Sequence, residues 1–173
     1  MCDVHIRNVT EADLDGCYEV EIACWPPEEA AAKETVERRI AVFPQGFFVA
    51  ESDGRVVGML NSCCTDREDL GDEELKQLIG HDIDGRNMVV FALGVLPGFR
   101  KQGVAAALML RFIRLARELN KKNVRLICKS DLVAYYERFG FVHAGLSRSM
   151  HGGATWQQMV LKLDNRLPEG PGF

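Results

Sequence analysis

The feature that most constrains the fold is an uninterrupted apolar run, "MVVFALGV", at residues 88–95. A strand with apolar side chains on both faces must be covered on both faces, so this run is predicted to lie in the middle of a sheet. It is followed at once by the turn-forming stretch "LPGFRKQG" and then by apolar residues at helical spacing from Val104 to Leu119. The sequence therefore predicts a central strand, a basic glycine-bearing bend and a long helix in immediate succession.

Shorter strands and helices are predicted on both sides of this unit. Strands are indicated at 4–10, at 46–52 and 55–62 around the turn "DG", at 123–129, at 141–147 and at 154–163. Helices are indicated after Thr10, from Pro26 or Pro27 to residue 43, at 72–79, and at 130–139 before Gly140. The alternation predicts an α/β fold, with a central mixed, twisted sheet of about six to seven strands flanked by about four helices.

Length and composition indicate one globular domain. The chain has 173 residues, 47% of them apolar and 27% charged, which is enough to bury a core. Residues 1–164 are expected to form the domain and residues 165–173 a flexible tail. A net charge of −4 argues against nucleic-acid binding. No apolar run is long enough for a membrane helix and the polar start "MCDVHIRN" does not resemble a signal peptide, so we expect a cytoplasmic protein. Nothing requires more than a monomer.

The six cysteines do not form a recognisable framework. None of them is spaced as C-x-x-C, and Cys63 and Cys64 are adjacent in the chain. No histidine cluster completes a zinc pattern, so no metal site is predicted. We expect free thiols, mostly buried, in a reducing compartment.

The basic bend before the long helix could hold a phosphate. The first turn of a helix has free backbone N–H groups and the positive end of the helix dipole. Gly103 and Ala105 leave that end uncrowded, and Arg100 and Lys101 add positive charge. The bend is neither a Walker A loop nor a G-x-G-x-x-G loop. Taken alone, it is equally well explained as a solvated basic loop before an ordinary helix.

The stretch "RKQGVA" resembles the R/Q-x-x-G-x-G/A loop of the GCN5-related N-acetyltransferases (GNAT), and "YYERFGFVHAG" falls in that family's order. Within the family, "LGVLPGFRKQG", "CKSDLVAYYERFGF", "HGGATWQQM" and "CWPPEEA" are similar to the arylalkylamine, serotonin-acetylating subgroup. The resemblance implies a single-domain GNAT fold. It implies direct transfer of the acetyl group of acetyl-CoA to a primary amine, of a small arylalkylamine type. The alternatives are a polyamine or protein-lysine acceptor, or a non-catalytic acyl-CoA-binding module.

The resemblance also implies roles for particular residues. The pantetheine arm of acetyl-CoA would lie along the end of the central strand, and its pyrophosphate against the bend and the helix start. The implied cofactor-binding residues are Leu93, Gly94, Val95, Arg100, Lys101, Gln102, Gly103, Val104, Ala105 and Tyr136. Tyr136 is the predicted general acid, since a phenol is protonated at neutral pH and can donate to a departing thiolate. Tyr135 is expected to point elsewhere on the same helix.

The general base is not supplied by the resemblance. Vertebrate members of the subgroup carry two histidines on the central strand, whereas the matching positions here are Val89 and Phe91. Glu28 is the preferred candidate, because an acidic residue in this region serves insect relatives. Other candidates are Glu21, His81 and His151. A dedicated base is unnecessary if a small fraction of free amine binds from solution.

An apolar pocket with aromatic walls would suit an aryl or alkyl amine. In this fold the expected acceptor-binding residues are Trp25, Pro26, Cys63, Phe91 and Trp156. The acidic stretch 66–74 could attract cationic acceptors, although a solvated surface explains most of its charges.

Overall fold

The computed structural model describes residues 3–68, 73–78 and 80–163. The seven strands are β1 (His5–Asn8), β2 (Phe48–Ser52), β3 (Arg55–Thr65), β4 (Asn87–Val95), β5 (Asn123–Cys128), β6 (Val142–Leu146) and β7 (Gln157–Lys162). The helices are α1 (Leu14–Cys24), α2 (Lys33–Val42), α3 (Glu73–Lys76), α4 (Val104–Glu118) and α5 (Val133–Glu137). The predicted tail at 165–173 lies outside the described residues.

All seven strands form one mixed sheet in the order β1-β2-β3-β4-β5-β7-β6. The pair β4–β5 is parallel and every other neighbouring pair is antiparallel. The apolar run is the central strand, as predicted, and all but two of its positions are buried. Helices α1 and α4 both pack against β3 and β4. The predicted α/β architecture is therefore confirmed.

Local sequence signals explain several boundaries. Thr10 begins the first helical turn in a capping box, in which the Asp13 carboxylate accepts a hydrogen bond from the Thr10 N–H at 2.8 Å. Asp53 and Gly54 both have positive φ, as a tight turn between β2 and β3 requires. Gly140 has φ of 95° three residues after the end of α5.

The second helix begins later than the sequence indicated. Its predicted start at Pro26 or Pro27 is wrong, because only a single turn forms there, closed by the N–H groups of Glu29 and Ala30 on the Pro26 carbonyl. The N–H of Ala31 bonds instead to the Glu21 carboxylate at 2.7 Å, and α2 starts at Lys33. The interruption leaves residues 26–32 as a loop beside the central strand.

Five of the six cysteines lie in the described ranges, and all five are free thiols. Cys17, Cys63, Cys64 and Cys128 are buried, and Cys24 is half-buried. Among the described helices, none has both the length and the apolar character needed to cross a bilayer.

Candidate active site

A cleft opens between the central strands β4 and β5. The two strands pair only over Asn87–Val89 and Asn123–Arg125, at their N-terminal ends. Beyond these residues β4 continues to Val95 and β5 to Cys128 without pairing to each other. On their other sides, β4 remains paired with β3 and β5 remains paired with β7. The facing edges therefore present backbone donors and acceptors to any extended ligand that enters the cleft.

A β-bulge lies in the wall of this cleft. Along β3 and β4, Asn61 faces Ala92 and the next residue, Ser62, faces Val90, so Phe91 is the extra residue of the bulge. Bulges bend a strand and redirect a side chain, and they are common beside active sites. Here the Phe91 ring packs 4.7 Å from the guanidinium carbon of Arg39.

The cleft widens into a cavity of about 410 Å³. Its walls come from the end of α1, the loop before α2, α2 itself, α3, β4, β5, α5 and the turn before β7. Of the residues predicted to bind acceptor or cofactor or to act in catalysis, it contains Trp25, Pro26, Phe91, Leu93, Tyr136 and Trp156. Cys63 is fully buried and packs with Leu75, Leu78 and Val89 instead of lining the cavity.

The bend before α4 has the geometry that an anion site needs. Gly103 caps the helix with φ of 82°, and a Cβ placed on it would meet nothing within 4 Å. Residues 100–103 are exposed, and α4 is 15 residues long. The N–H groups of its first turn are thus open to solvent beside two basic side chains, while the side chain of Val104 is buried in the core.

Arg100 fastens the bend to the end of β4. Its Nε donates a hydrogen bond to the Val95 carbonyl at 2.9 Å, and one terminal nitrogen lies 3.6 Å from the Cys24 sulfur. Close packing continues at Gly94, where a Cβ would stand 2.9 Å from both the Cys24 sulfur and the Trp25 ring. The basic bend and the mouth of the cavity are therefore held together by a few contacts.

Arg100→Ala is expected to weaken CoA binding about fivefold, because the substitution removes both a nearby charge and this anchor. Calorimetric titration with CoA measures the change. Arg117→Ala removes the same charge from the exposed far end of the same helix and serves as the control. Equal affinities of the Arg100→Ala and Arg117→Ala variants would show that Arg100 plays no part in phosphate binding.

Tyr136 lies on α5 at the cavity wall and is 8% exposed. Its ring packs edge-to-face on Tyr135 and Phe141, with centroid distances of 5.3 and 5.9 Å. Burial raises the pKa of its phenol, and nearby Cys128 adds to the effect, so the phenol stays protonated across the neutral range. Tyr135 is only half-buried, packs on Phe139 and does not line the cavity.

Two carboxylates line the cavity, and neither is the one preferred from sequence. Glu21 is 3% exposed, and its Oε2 is buried without a hydrogen-bond partner. Glu29 is 8% exposed, pairs with Lys129 at 2.7 Å through Oε1, and also has a buried, unpartnered Oε2. Glu28 is exposed and lies outside the cavity lining. Its position follows from the late start of α2, which leaves Glu28 in an open loop.

The pKa of Glu21 is raised by burial. The hydrogen bond from Ala31 and the positive charges of Arg39 and His151 oppose this effect. A carboxylate held in this balance can exchange a proton nearer to neutral pH than an exposed one.

The two candidate histidines differ in position. His81 accepts a hydrogen bond from the Cys64 N–H at 3.1 Å and does not line the cavity. His151 lines the cavity, donates from Nε2 to the Glu29 carbonyl at 2.7 Å, and its own carbonyl accepts the Trp156 indole N–H at 2.9 Å. It therefore links the 26–32 loop to the turn before β7.

Sequence reasoning missed four charged residues of the cavity lining: Glu29, Arg39, Lys76 and Lys129. For Arg39 a signal was available. It lies three residues after Val36 and one before Ile40, on the apolar stripe of α2, where a charged residue is out of place. A charge on an apolar stripe is buried, and a buried charge needs a partner or a ligand.

The sequence and fold place the chain in a known family. The model of the acetyltransferase (GNAT) family matches residues 14–141, and the chain belongs to that family. It is 29% identical to a probable hydrolase, YhcX, of Bacillus subtilis, over 69% of this chain and 25% of that protein. It is 30% identical to serotonin N-acetyltransferase of Mesocricetus auratus, over 64% of this chain and 53% of that protein. The chain thus spans about half or less of these two relatives.

Solved structures show the same fold. The loading GNATL domain of CurA from Lyngbya majuscula superposes with a TM-score of 0.81 at 18% identity, over 92% of this chain and 98% of that one. The structure of yncA from Salmonella typhimurium with its cofactor acetyl-CoA gives a TM-score of 0.69 at 16% identity, over 98% and 99% of the two chains.

Proposed function

We propose that this chain is an N-acetyltransferase that transfers the acetyl group of acetyl-CoA directly to a primary amine of a small, arylalkylamine-like molecule. The observation that carries the proposal is the composition of one cavity. It joins a buried phenol, Tyr136, and a buried carboxylate, Glu21, to the open edge of β4. Aromatic walls from Trp25, Phe91 and Trp156 suit an aryl group.

The chain has features that fit acetyl-CoA. The open N–H groups at the start of α4 and the basic bend suit a pyrophosphate. The unpaired edge of β4 up to Val95 suits the amides of a pantetheine arm. When bound, acetyl-CoA supplies a thioester whose carbonyl carbon accepts an amine. Membership of the family and the acetyl-CoA complex of yncA support the assignment.

The residues then divide the chemistry. Glu21 takes the proton from the substrate ammonium, and the neutral amine forms the new C–N bond with the thioester carbon. A backbone N–H near Val95, at the end of β4, donates a hydrogen bond to the oxyanion. As the C–S bond breaks, Tyr136 gives its proton to the thiolate, and the second proton of the attached amine returns to the phenolate, so that the amide, the free thiol and a neutral Tyr136 remain. Glu21 thus takes the role of the two histidines on the central strand of the vertebrate relatives, whose positions are occupied here by Val89 and Phe91.

The similarity to serotonin N-acetyltransferase supports an arylalkylamine acceptor. A polyamine or a lysine side chain, and a binding module without catalysis, are the competing outcomes. Purified protein is assayed for thiol release from acetyl-CoA with tryptamine, phenethylamine, spermidine and a lysine peptide. Turnover of the first two supports the proposal. A preference for spermidine or for the peptide would show that the acceptor is a polyamine or a lysine side chain instead of an arylalkylamine. Tight CoA binding without turnover of any amine would indicate a binding module.

A further inference from the structure

The charges in the cavity are not all compensated. Glu29 and Lys129 form an ion pair with each other. Glu21 and Arg39 also line the cavity, yet neither forms an ion pair with a side chain of the described residues. The charge of Arg39 lowers the pKa of Glu21 and the charge of Glu21 raises the pKa of Arg39, but no salt bridge joins the two side chains. Among the described residues that line the cavity, Glu21 is therefore an anion and Arg39 a cation without a salt-bridge partner.

Arg39 is held rigidly by neutral acceptors. Its Nη1 donates to the Asn61 side-chain oxygen at 3.1 Å, and Nε and Nη2 donate to the Lys76 carbonyl at 3.4 and 3.3 Å. The ring of Phe91 packs against its guanidinium. A guanidinium has five N–H groups, so these contacts leave donors unused. At 5% exposure, solvent compensates little of its charge.

Glu21 is the complementary case. One oxygen accepts the Ala31 N–H, and the other is buried without a donor. A buried carboxylate oxygen gains most from a charged N–H donor. A ligand that carries both an ammonium and a carboxylate would satisfy Glu21 and Arg39 together, without requiring either side chain to move toward the other.

We propose that the acceptor is zwitterionic: an aromatic α-amino acid whose ammonium binds Glu21 and whose carboxylate binds Arg39. This inference rests on the proposed function and narrows its acceptor class. The aromatic side chain of the ligand occupies the part of the cavity walled by Trp25, Phe91 and Trp156. The N–H groups of Arg39 that are not already bonded select the carboxylate, which a simple arylalkylamine lacks.

Matched pairs of acceptors test the proposal. The ratio of kcat/KM is measured for L-tryptophan against tryptamine and for L-phenylalanine against phenethylamine, at a pH on the upper plateau of activity. In the wild type we expect the amino acid to be preferred about tenfold or more. Arg39→Gln is expected to abolish that preference, so that kcat/KM for the amino acid falls about tenfold more than kcat/KM for the matching amine. Arg39→Lys keeps the positive charge but lacks the planar guanidinium with its several N–H donors. This variant is expected to retain part of the preference for the amino acid.

Arg38→Gln is the matched control, because Arg38 is the adjacent, exposed arginine and bonds only to Gln77. It is expected to keep the wild-type preference. Turnover of the amines by Arg39→Gln shows that the variant is folded. If Arg39→Gln does not fold, the Arg39→Lys ratio decides: a preference unchanged from the wild type overturns the proposal.

The outcomes separate this inference from the proposed function. If tryptamine is acetylated and kcat/KM for L-tryptophan is no higher than that for tryptamine, the proposal of a zwitterionic acceptor is overturned. The proposed acetyltransferase function is then unaffected. If no amine is turned over, calorimetric binding of L-tryptophan and tryptamine to the CoA-loaded protein still tests the inference: equal affinities overturn it, and an Arg39-dependent preference for tryptophan supports it. An Arg39-dependent preference for malonyl-CoA over acetyl-CoA would place the carboxylate on the donor and overturn the proposal.

Discussion

Tyr136→Phe is expected to lower kcat about 100-fold or more, because general acid catalysis contributes at least this much in many enzymes. The substitution removes one hydroxyl and keeps the ring that packs on Tyr135 and Phe141. The structure of the cavity wall should therefore persist, and the affinity for CoA should remain within about twofold of the wild type. Steady-state thiol release gives kcat, and calorimetric titration gives the CoA affinity.

Tyr135→Phe is a control of the same chemistry one residue away. Tyr135 lies outside the cavity lining, so its hydroxyl has no access to the reacting sulfur and its variant should retain kcat. The burial that raises the pKa of Tyr136 also keeps the acid protonated well above neutral pH. An equal fall in both variants would indicate a packing effect. An unchanged kcat in Tyr136→Phe would remove this phenol from the mechanism.

The central unit of the fold was predictable because its signals are local. An apolar run on both faces identifies β4, a Pro-Gly turn ends it, and an apolar stripe at helical spacing identifies α4. Gly103 has positive φ at the helix cap, a conformation that glycine adopts without strain. None of these inferences needs a contact between distant parts of the chain, so the strand, the bend and the start of the helix could be predicted from 20 consecutive residues at 88–107.

The bulge at Phe91 could not be predicted in the same way. Register is read from alternation of apolar and polar residues, and a strand that is apolar on both faces has no alternation. The shift between Asn61 and Ser62 is a property of the β3–β4 pair and is invisible in either strand alone. The resemblance implies that Phe91 binds the acceptor and stands where vertebrate relatives carry a histidine, but it could not reveal Arg39 against the Phe91 ring.

The choice among acidic residues depended on tertiary structure. The resemblance favours Glu28 because an acidic residue in this region serves insect relatives, and the sequence predicts that a helix begins just before it, at Pro26 or Pro27. The helical turn that begins at Pro26 instead ends at Ala30. The next N–H group, that of Ala31, donates its hydrogen bond to the carboxylate of Glu21 in α1. That long-range hydrogen bond buries Glu21 and leaves Glu28 exposed.

Glu21→Gln is expected to lower kcat/KM about 100-fold near neutral pH, since the amide can still accept the Ala31 hydrogen bond but cannot take a proton. In the wild type the base must be ionised, so kcat/KM should rise with pH through the pKa of Glu21, which burial places above its ordinary value. In the variant this acid limb should disappear. The pH dependence of kcat/KM for an amine acceptor measures both effects.

Glu28→Gln is the comparison that decides between the two carboxylates, because it makes the same change on an exposed side chain outside the cavity. Its pH profile should match that of the wild type. Loss of the acid limb in Glu28→Gln, with the limb intact in Glu21→Gln, would return the base to the residue that the sequence favoured.

Arg39 supplies a further check, since its positive charge opposes the rise in the Glu21 pKa. Arg39→Gln should therefore move the acid limb to higher pH, and a limb that stays in place would separate Arg39 from the ionisation of the base.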